Sequence, residues 1–333
     1  MIRAKGLRKT FKVGKETIEA VREVSFDVAA GELVALLGPN GAGKSTTLRM
    51  LTTLLPPTAG SVHIAGHDAV RNPSRVREAI GYVGQKSASG ENHRIRDELI
   101  TQGRCYGLAN RRARSRAEEV LEVLGIADLA ARQPGTLSGG QLRRVDIALG
   151  LIHNPRVLFL DEPSAGLDPQ SRASLWEQMK LLRREHGITI VLTTHYLDEA
   201  DHMADRIVIV DHGQVIANGS ADTLKADLAG DWIRVTTSDT DTARAAAGLA
   251  GRMAGVTEVT AEGLVVRVQT AVAETALPTL LRLLGQDSIT VTRANLGRPS
   301  LDDVFLELTG RRLDESGDAI ETTTDEPIGA AHA

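Results

Sequence analysis

Residues 38–46 read GPNGAGKST and follow directly on the apolar run ELVALL at 32–37. A phosphate carries negative charge and many acceptor oxygens. It is best held by converging backbone N–H groups, and glycine lets the backbone come close to it. Gly38-x-x-x-x-Gly43-Lys44-Ser45, placed after a strand and opening a helix, is the setting in which such a loop cradles a nucleoside triphosphate. The helix start adds about half a positive charge facing the phosphates. By chance the pattern arises roughly once in a hundred chains of this length, and the strand–loop–helix context makes chance rarer still. The loop thus assigns Gly38, Pro39, Asn40, Gly41, Ala42, Gly43, Lys44, Ser45 and Thr46 to nucleotide binding. Lys44 is expected to reach the β- and γ-phosphates of ATP, and Ser45 to ligate Mg²⁺.

Working outward, residues 157–160 (VLFL) and 188–193 (ITIVLT) are again short and apolar, as expected of buried strands in a largely parallel sheet. The first runs into Asp161 and Glu162, and two carboxylates at the end of an apolar strand are costly unless they face a polar site. A solvated strand end would also account for them. With the phosphate loop upstream, Asp161 suits Mg²⁺ held through water, and Glu162 suits orientation of the attacking water. His195 ends the strand ITIVLTT at 188–194, at the same edge, where a γ-phosphate contact is the expected role. Gln85 closes IGYVGQ at 80–85 and is a candidate sensor of the metal or water, although alone an exposed glutamine is commonplace.

Residues 137–141 read LSGGQ and precede a helix with apolar Leu142, Val145, Leu149 and Ile152. Ser138 and Gln141 form the S-x-x-Q pattern of a capping box, and a capped helix alone would explain them. Two glycines in the cap lose backbone entropy, however, and make sense if the helix start must touch an external phosphate. Ser138, Gly139, Gly140 and Gln141 are therefore added to the nucleotide-binding set.

The chain has 333 residues, enough for two domains. Residues 1 to about 228 alternate strand-like and helix-like segments, an α/β pattern, with 86–150 mainly helical. Residues 229–310 show the order β-α-β-β-α-β of a small ferredoxin-like α+β module, followed by a short helix at 301–308. From Arg311 to 333 the chain is acidic and poor in apolar residues, and is expected to be disordered. The net charge of −4 resides in that tail, so the body is formally neutral, which argues against nucleic acid as a main partner. A single cysteine, Cys105, excludes an internal disulfide. The N-terminal MIRAKGLRKTF has no apolar core of a secretory signal, and no run of eighteen apolar residues occurs. Any membrane role is expected to run through a partner.

The motifs together resemble the ATP-binding subunits of ABC transporters, over residues 1 to about 228 and in the family's order. The resemblance makes GPNGAGKST the Walker A loop, Gln85 the Q-loop, LSGGQ the signature and VLFLDEP Walker B. It makes residues 164–168 the D-loop, so that Asp168 joins the nucleotide site, and His195 the switch histidine. Phe11 stands where the family has its adenine-stacking aromatic. The segments LTTLLPPTAGSVHIAGHD, LRRVDIALGLIHNP and PSLDDVFLELTG are similar to the daunorubicin-resistance (DrrA-like) branch of ABC-2 exporters. The resemblance implies a P-loop cassette, a head-to-tail homodimer with ATP gripped between Walker A of one copy and Ser138 and Gly140 of the other, and a separate ABC-2 permease subunit. It also implies a place at the cytoplasmic face of the plasma membrane. A soluble ABC ATPase acting on nucleic acid or ribosomes is the alternative; a single cassette, a neutral body and no heptad run disfavour it. Replacing the loop lysine tests the cradle: Lys44→Ala should abolish both ATP binding and hydrolysis, measured by nucleotide-analogue fluorescence and phosphate release.

Overall fold

The computed structural model describes residues 1–90, 92–228, 231–270, 272–297, 300–313 and 317–321. These divide into two compact units, residues 1–220 with 313–319, and residues 221–312 with 320–321. The boundary falls eight residues before the one expected at 228. Helix Ala221–Leu228 packs on helix Leu301–Thr309 and so belongs to the second unit.

In the first unit, strand Leu33–Leu37 is fully buried along its length. It pairs in parallel with Thr189–Thr194 on one side and Arg206–Asp211 on the other. Val157–Asp161 and Ile80–Val83 continue the parallel array beyond Thr189–Thr194. Strands covered on both faces read as continuous apolar runs, and this is why LVALL, VLFLD and TIVLTT carry no alternation. Beyond Arg206–Asp211 the sheet turns antiparallel through Gln214–Gly219, and it extends to the long hairpin of Ile2–Val13 and Glu16–Val28 and then to Ala59–Ile64. One core joins these parts. Alternate residues Val34, Leu36, Val157, Phe159, Val208 and Val210 meet Leu48, Met50 and Leu51 of helix Lys44–Leu51, and Leu7, Val21 and Val24 of the hairpin.

Between strands Ile80–Val83 and Val157–Asp161 lie helices Ile95–Cys105, Asn110–Val123 and Gly139–Leu151. The parallel strands share one direction, so their C-terminal ends, leading into Gly38, Gly84, Glu162 and His195, share one edge of the sheet. Among the described residues no helix is long and apolar enough to cross a membrane.

The second unit is a four-stranded antiparallel sheet in the order Val256–Glu262, Val265–Thr270, Asp231–Thr237, Val291–Gly297. Helices Thr240–Ala250 and Ala273–Gln286 cover it through Ala243, Ala246, Ala250, Leu280 and Leu284, packed on Ile233, Val235, Val266 and Val268. This is the ferredoxin-like arrangement read from the element order.

The expectation of disorder from 311 onward does not hold for the described part of the tail. Arg311–Leu313 and Ala319–Glu321 pair as a two-stranded sheet. The Gly317 carbonyl accepts a hydrogen bond from the Asn40 N–H at 2.7 Å, and the Asp318 carboxylate accepts one from the Asn40 side-chain amide at 3.4 Å. Gly317 is buried with a backbone φ of 83°, and a Cβ there would stand 2.6 Å from the His195 ring. Backbone and side-chain hydrogen bonds to Asn40 supply an order that the polar composition of the segment did not announce. Residues 322–333, the rest of the acidic tail, lie outside the described residues. With Asn40 and His195 expected from the motifs to contact nucleotide, a segment lying on both would compete with ATP for the same groups. Truncation before Leu313 should therefore lower the KM for ATP by about threefold with kcat little changed, as read from steady-state phosphate release.

Candidate functional site

Helix Lys44–Leu51 starts at Gly43, whose backbone φ is 98°. A Cβ at Gly43 would lie 2.6 Å from the Ala20 carbonyl oxygen, so the left-handed turn and the close approach both require glycine. The turn aims the helix N-terminus and its unpaired N–H groups across the strand ends. Lys44 folds back over the loop and its Nζ donates to the Gly38 and Pro39 carbonyls at 2.7 and 2.8 Å. The side chain is buried, and burial pushes its pKa down to about 8 against the raising influence of Glu162 and then Asp161.

Asp161 is fully buried at the end of its strand. Its Oδ1 accepts from Ser45 Oγ at 2.8 Å and from Thr193 Oγ1 at 2.7 Å. Its Oδ2 is buried with no hydrogen-bond partner. An orphaned carboxylate oxygen beside a serine hydroxyl, at a helix start, matches the sparse protein ligation of Mg²⁺, which takes one or two protein oxygens together with water and phosphate. The donor set therefore fits that ion, although among the described residues no group of three or more His, Cys, Asp or Glu side chains clusters to cage a metal.

Glu162 follows with a positive φ of 46° and donates its N–H to Thr193 Oγ1 at 2.9 Å. Its carboxylate Oε2 lies 3.7 Å from His195 Nδ1, an ion-pair distance rather than a formed hydrogen bond. His195 is the largest influence lowering the Glu162 carboxyl below its ordinary range; burial opposes it and Lys44 adds to it. The carboxylate is thus kept ionised and able to accept hydrogen bonds. The His195 ring stacks at a tilt on Tyr196 with centroids 4.1 Å apart.

The signature helix Gly139–Leu151 is capped as its sequence foretells. Ser138 Oγ accepts from the Gln141 N–H at 3.3 Å, and Gln141 Oε1 accepts from the Ser138 N–H at 3.0 Å. Ser138 and Gly139 are exposed, so this helix start faces solvent within its own chain. Gly140 packs on Ser171, where a Cβ would approach the hydroxyl to 2.8 Å. Asp168 caps helix Pro169–His186, its two oxygens accepting from the Ser171 N–H at 2.9 Å and the Ser171 hydroxyl at 2.6 Å. Gln85 is exposed just beyond strand Ile80–Val83. Phe11 is exposed on strand Ile2–Val13, with the Lys9 ammonium 5.3 Å from its ring centre. The structure therefore brings Lys44, Ser45, Asp161, Glu162 and His195 together, and leaves Phe11, Gln85, Ser138 and Asp168 on the surface around them.

Sequence reasoning missed the residue that ties these loops. Arg143 is buried in the signature helix, and its guanidinium donates to the carbonyls of Pro163 (2.8 Å), Gly84 (2.6 Å) and Asp161 (3.0 Å). The signal was present: Arg143 stands one helical repeat before Ile147 and two before Leu151, on a second apolar line beside that of Leu142 and Val145. Asp146 also went unnoticed; it accepts from Ser87 Oγ at 2.9 Å and from the Ala88 N–H at 3.0 Å, holding the segment after Gln85 to the same helix.

Comparisons with known proteins agree with this geometry. Residues 21–165 match the ABC transporter family, and residues 219–309 match the C-terminal domain of ATP-binding proteins like DrrA1-3. Daunorubicin resistance ATP-binding protein DrrA3 of Streptomyces coeruleorubidus is 45% identical over 300 residues, covering 90% of this chain and 94% of that protein. Linearmycin resistance ATP-binding protein LnrL of Bacillus subtilis is 36% identical over 316 residues, covering 94% and 99%. Among solved structures, a dimeric ATP-binding cassette in a post-hydrolysis state with ADP and Pi superposes with a TM-score of 0.60 at 30% identity, covering 66% of this chain and 98% of that one. The chain therefore belongs to the ATP-binding subunits of ABC transporters and is an ATPase of that family, with a cassette followed by the C-terminal domain of the DrrA type.

Proposed function

We propose that the protein energises an exporter that expels a drug or other hydrophobic compound through a separate ABC-2 type membrane subunit, at the cytoplasmic face of the plasma membrane. The names of relatives such as the daunorubicin and linearmycin resistance proteins support the cargo class. The observation that carries the catalytic reading is the convergence of Lys44, Ser45, Asp161, Glu162 and His195 on one sheet edge.

In this reading Lys44 exchanges its two carbonyl contacts for the β- and γ-phosphates of ATP. Ser45 and Asp161 would hold Mg²⁺, and Gln85 would be a further ligand or sensor of it. When bound, the ion supplies charge neutralisation at the phosphate oxygens. Glu162 orients the attacking water and accepts its proton, and His195 fixes the carboxylate and the γ-phosphate side. Phe11 stacks on the adenine. The exposed, capped start of helix Gly139–Leu151 serves the nucleotide of a second copy, so that the homodimer completes each site and hydrolysis becomes coupled to opening and closing. Ser138, Gly140 and Asp168 act across that interface.

Two measurements test it. Glu162→Gln should leave ATP bound, cut turnover by about a hundredfold or more, and give an ATP-dependent dimer in light scattering; an exclusively monomeric protein under those conditions contradicts the shared site. The pH dependence follows from Lys44. Its ammonium is charged in the complex, while in the free protein it is lost as pH rises through about 8. ATP affinity should then be flat below that pH and fall above it, by at most about tenfold per pH unit. Titration calorimetry in buffers of different ionisation heat reads both the affinity and the proton taken up.

A further inference from the structure

Glu199 is fully buried in the short helix Leu197–Met203, just after the strand that ends at Thr194. Its Oε1 accepts from the Trp176 indole N–H at 3.0 Å. Its Oε2 is buried with no formed hydrogen bond, and the same is true of the Ser164 hydroxyl. The two groups are neighbours. Burial raises the Glu199 carboxyl above its ordinary value, while the hydroxyls of Thr194 and Ser164, the Trp176 indole and the Arg172 charge oppose that rise. Arg172 itself lies 4.0 Å over the Tyr196 ring and 4.0 Å from Asp198.

Two adjacent buried polar atoms, each without a partner, are costly where they stand, and each could satisfy the other after a small displacement. Their locations give that displacement a meaning. Ser164 opens the segment 164–168 that leads from Glu162 to the Asp168 cap, and Thr194 immediately precedes His195. Trp176 lies on helix Pro169–His186, which Asp168 begins. Glu199 therefore touches all three pieces: the loop after the water-orienting carboxylate, the strand end carrying the histidine, and the helix behind them.

We propose that Glu199 is a positioning residue for hydrolysis, whose carboxyl hydrogen-bonds the Ser164 hydroxyl when nucleotide closes the site and so locks the 164–168 segment to the strand end bearing His195. The carboxyl needs hydrogen-bonding capacity here rather than charge: among the described residues no salt bridge reaches it, Arg172 pairing with Asp198 instead, and it is wholly out of water. The proposal deepens the catalytic reading above and rests on it.

The experiment uses the full chain and four variants: Glu199→Ala, Glu199→Gln, Ser164→Ala and the double Ser164→Ala/Glu199→Ala. Glu199→Ala should lower kcat by about tenfold or more with the KM for ATP within about twofold, because the lost bond belongs to the closed state. Glu199→Gln should keep kcat within about threefold of the parent, since the amide preserves the shape and the bonds. The double variant should be no slower than Glu199→Ala alone. Trp176 supplies a spectroscopic readout, since only one other tryptophan, Trp232, is present. In a Trp232→Phe background, ATP with magnesium should shift the Trp176 emission, and Ser164→Ala should abolish the shift. Unchanged kcat in Glu199→Ala, an equally deep loss in Glu199→Gln, additive single-variant effects, or an emission shift indifferent to Ser164 would each overturn the proposal. The catalytic reading is judged separately, by whether Glu162→Gln stops turnover in the same preparation.

Discussion

The buried carboxylate of Asp161 is the point on which the cassette turns. It stands at the end of a strand with no access to water, where a charge is tolerated only when hydrogen bonds replace the lost hydration. Ser45 and Thr193 supply two such bonds to one oxygen. They come from the helix after the phosphate loop and from the neighbouring strand, so the carboxylate ties its own strand to two other stretches of chain. Its second oxygen is left without a partner. A fully satisfied carboxylate would give more stability and no chemistry, and the deficit is what a divalent ion and a triphosphate can use.

Around this point the molecule repeatedly uses main-chain carbonyls to hold positive charge. Lys44 rests on the carbonyls of Gly38 and Pro39, and Arg143 on those of Gly84, Asp161 and Pro163. The two differ in what they can release. The lysine is a compact charge with a lowered pKa, so an incoming anion can draw it away. The arginine spreads its donors over three loops in a fixed fork and holds their relative positions. One cation can therefore exchange its two contacts, while the other keeps three loops in register.

The signature helix illustrates how one motif serves two ends. Its capping box satisfies the first backbone N–H groups within the chain. The cap nevertheless remains exposed at Ser138 and Gly139, while Gly140 packs on Ser171. The C-terminal unit shows the opposite economy. Its helices pack on the sheet through small alanines at Ala243, Ala246 and Ala250 and a few leucines, a thin but continuous core.

Much of this was legible in the order of residues. The phosphate loop, the paired carboxylates, the S-x-x-Q cap and the β-α-β-β-α-β succession each rest on local rules of backbone geometry, periodicity or charge, which need only a few neighbouring residues to operate. What remained hidden depends on groups distant in the chain. Arg143 is an ordinary helical arginine until three carbonyls converge on it. Asp146 is a helix-surface acid until the 87–88 segment folds onto it. Glu199 is one acid among several until burial beside Trp176 and Ser164 singles it out. The tail offers the sharpest contrast, since its composition argues for disorder while two hydrogen bonds from Asn40 hold Gly317 and Asp318 beside the phosphate loop. Sequence alone determined which chemistry the chain carries, because motifs are short-range. Only the tertiary structure decided which oxygen stays unpaired, which cation is free to move and which segments meet, because those are set by how distant strand ends come together in space.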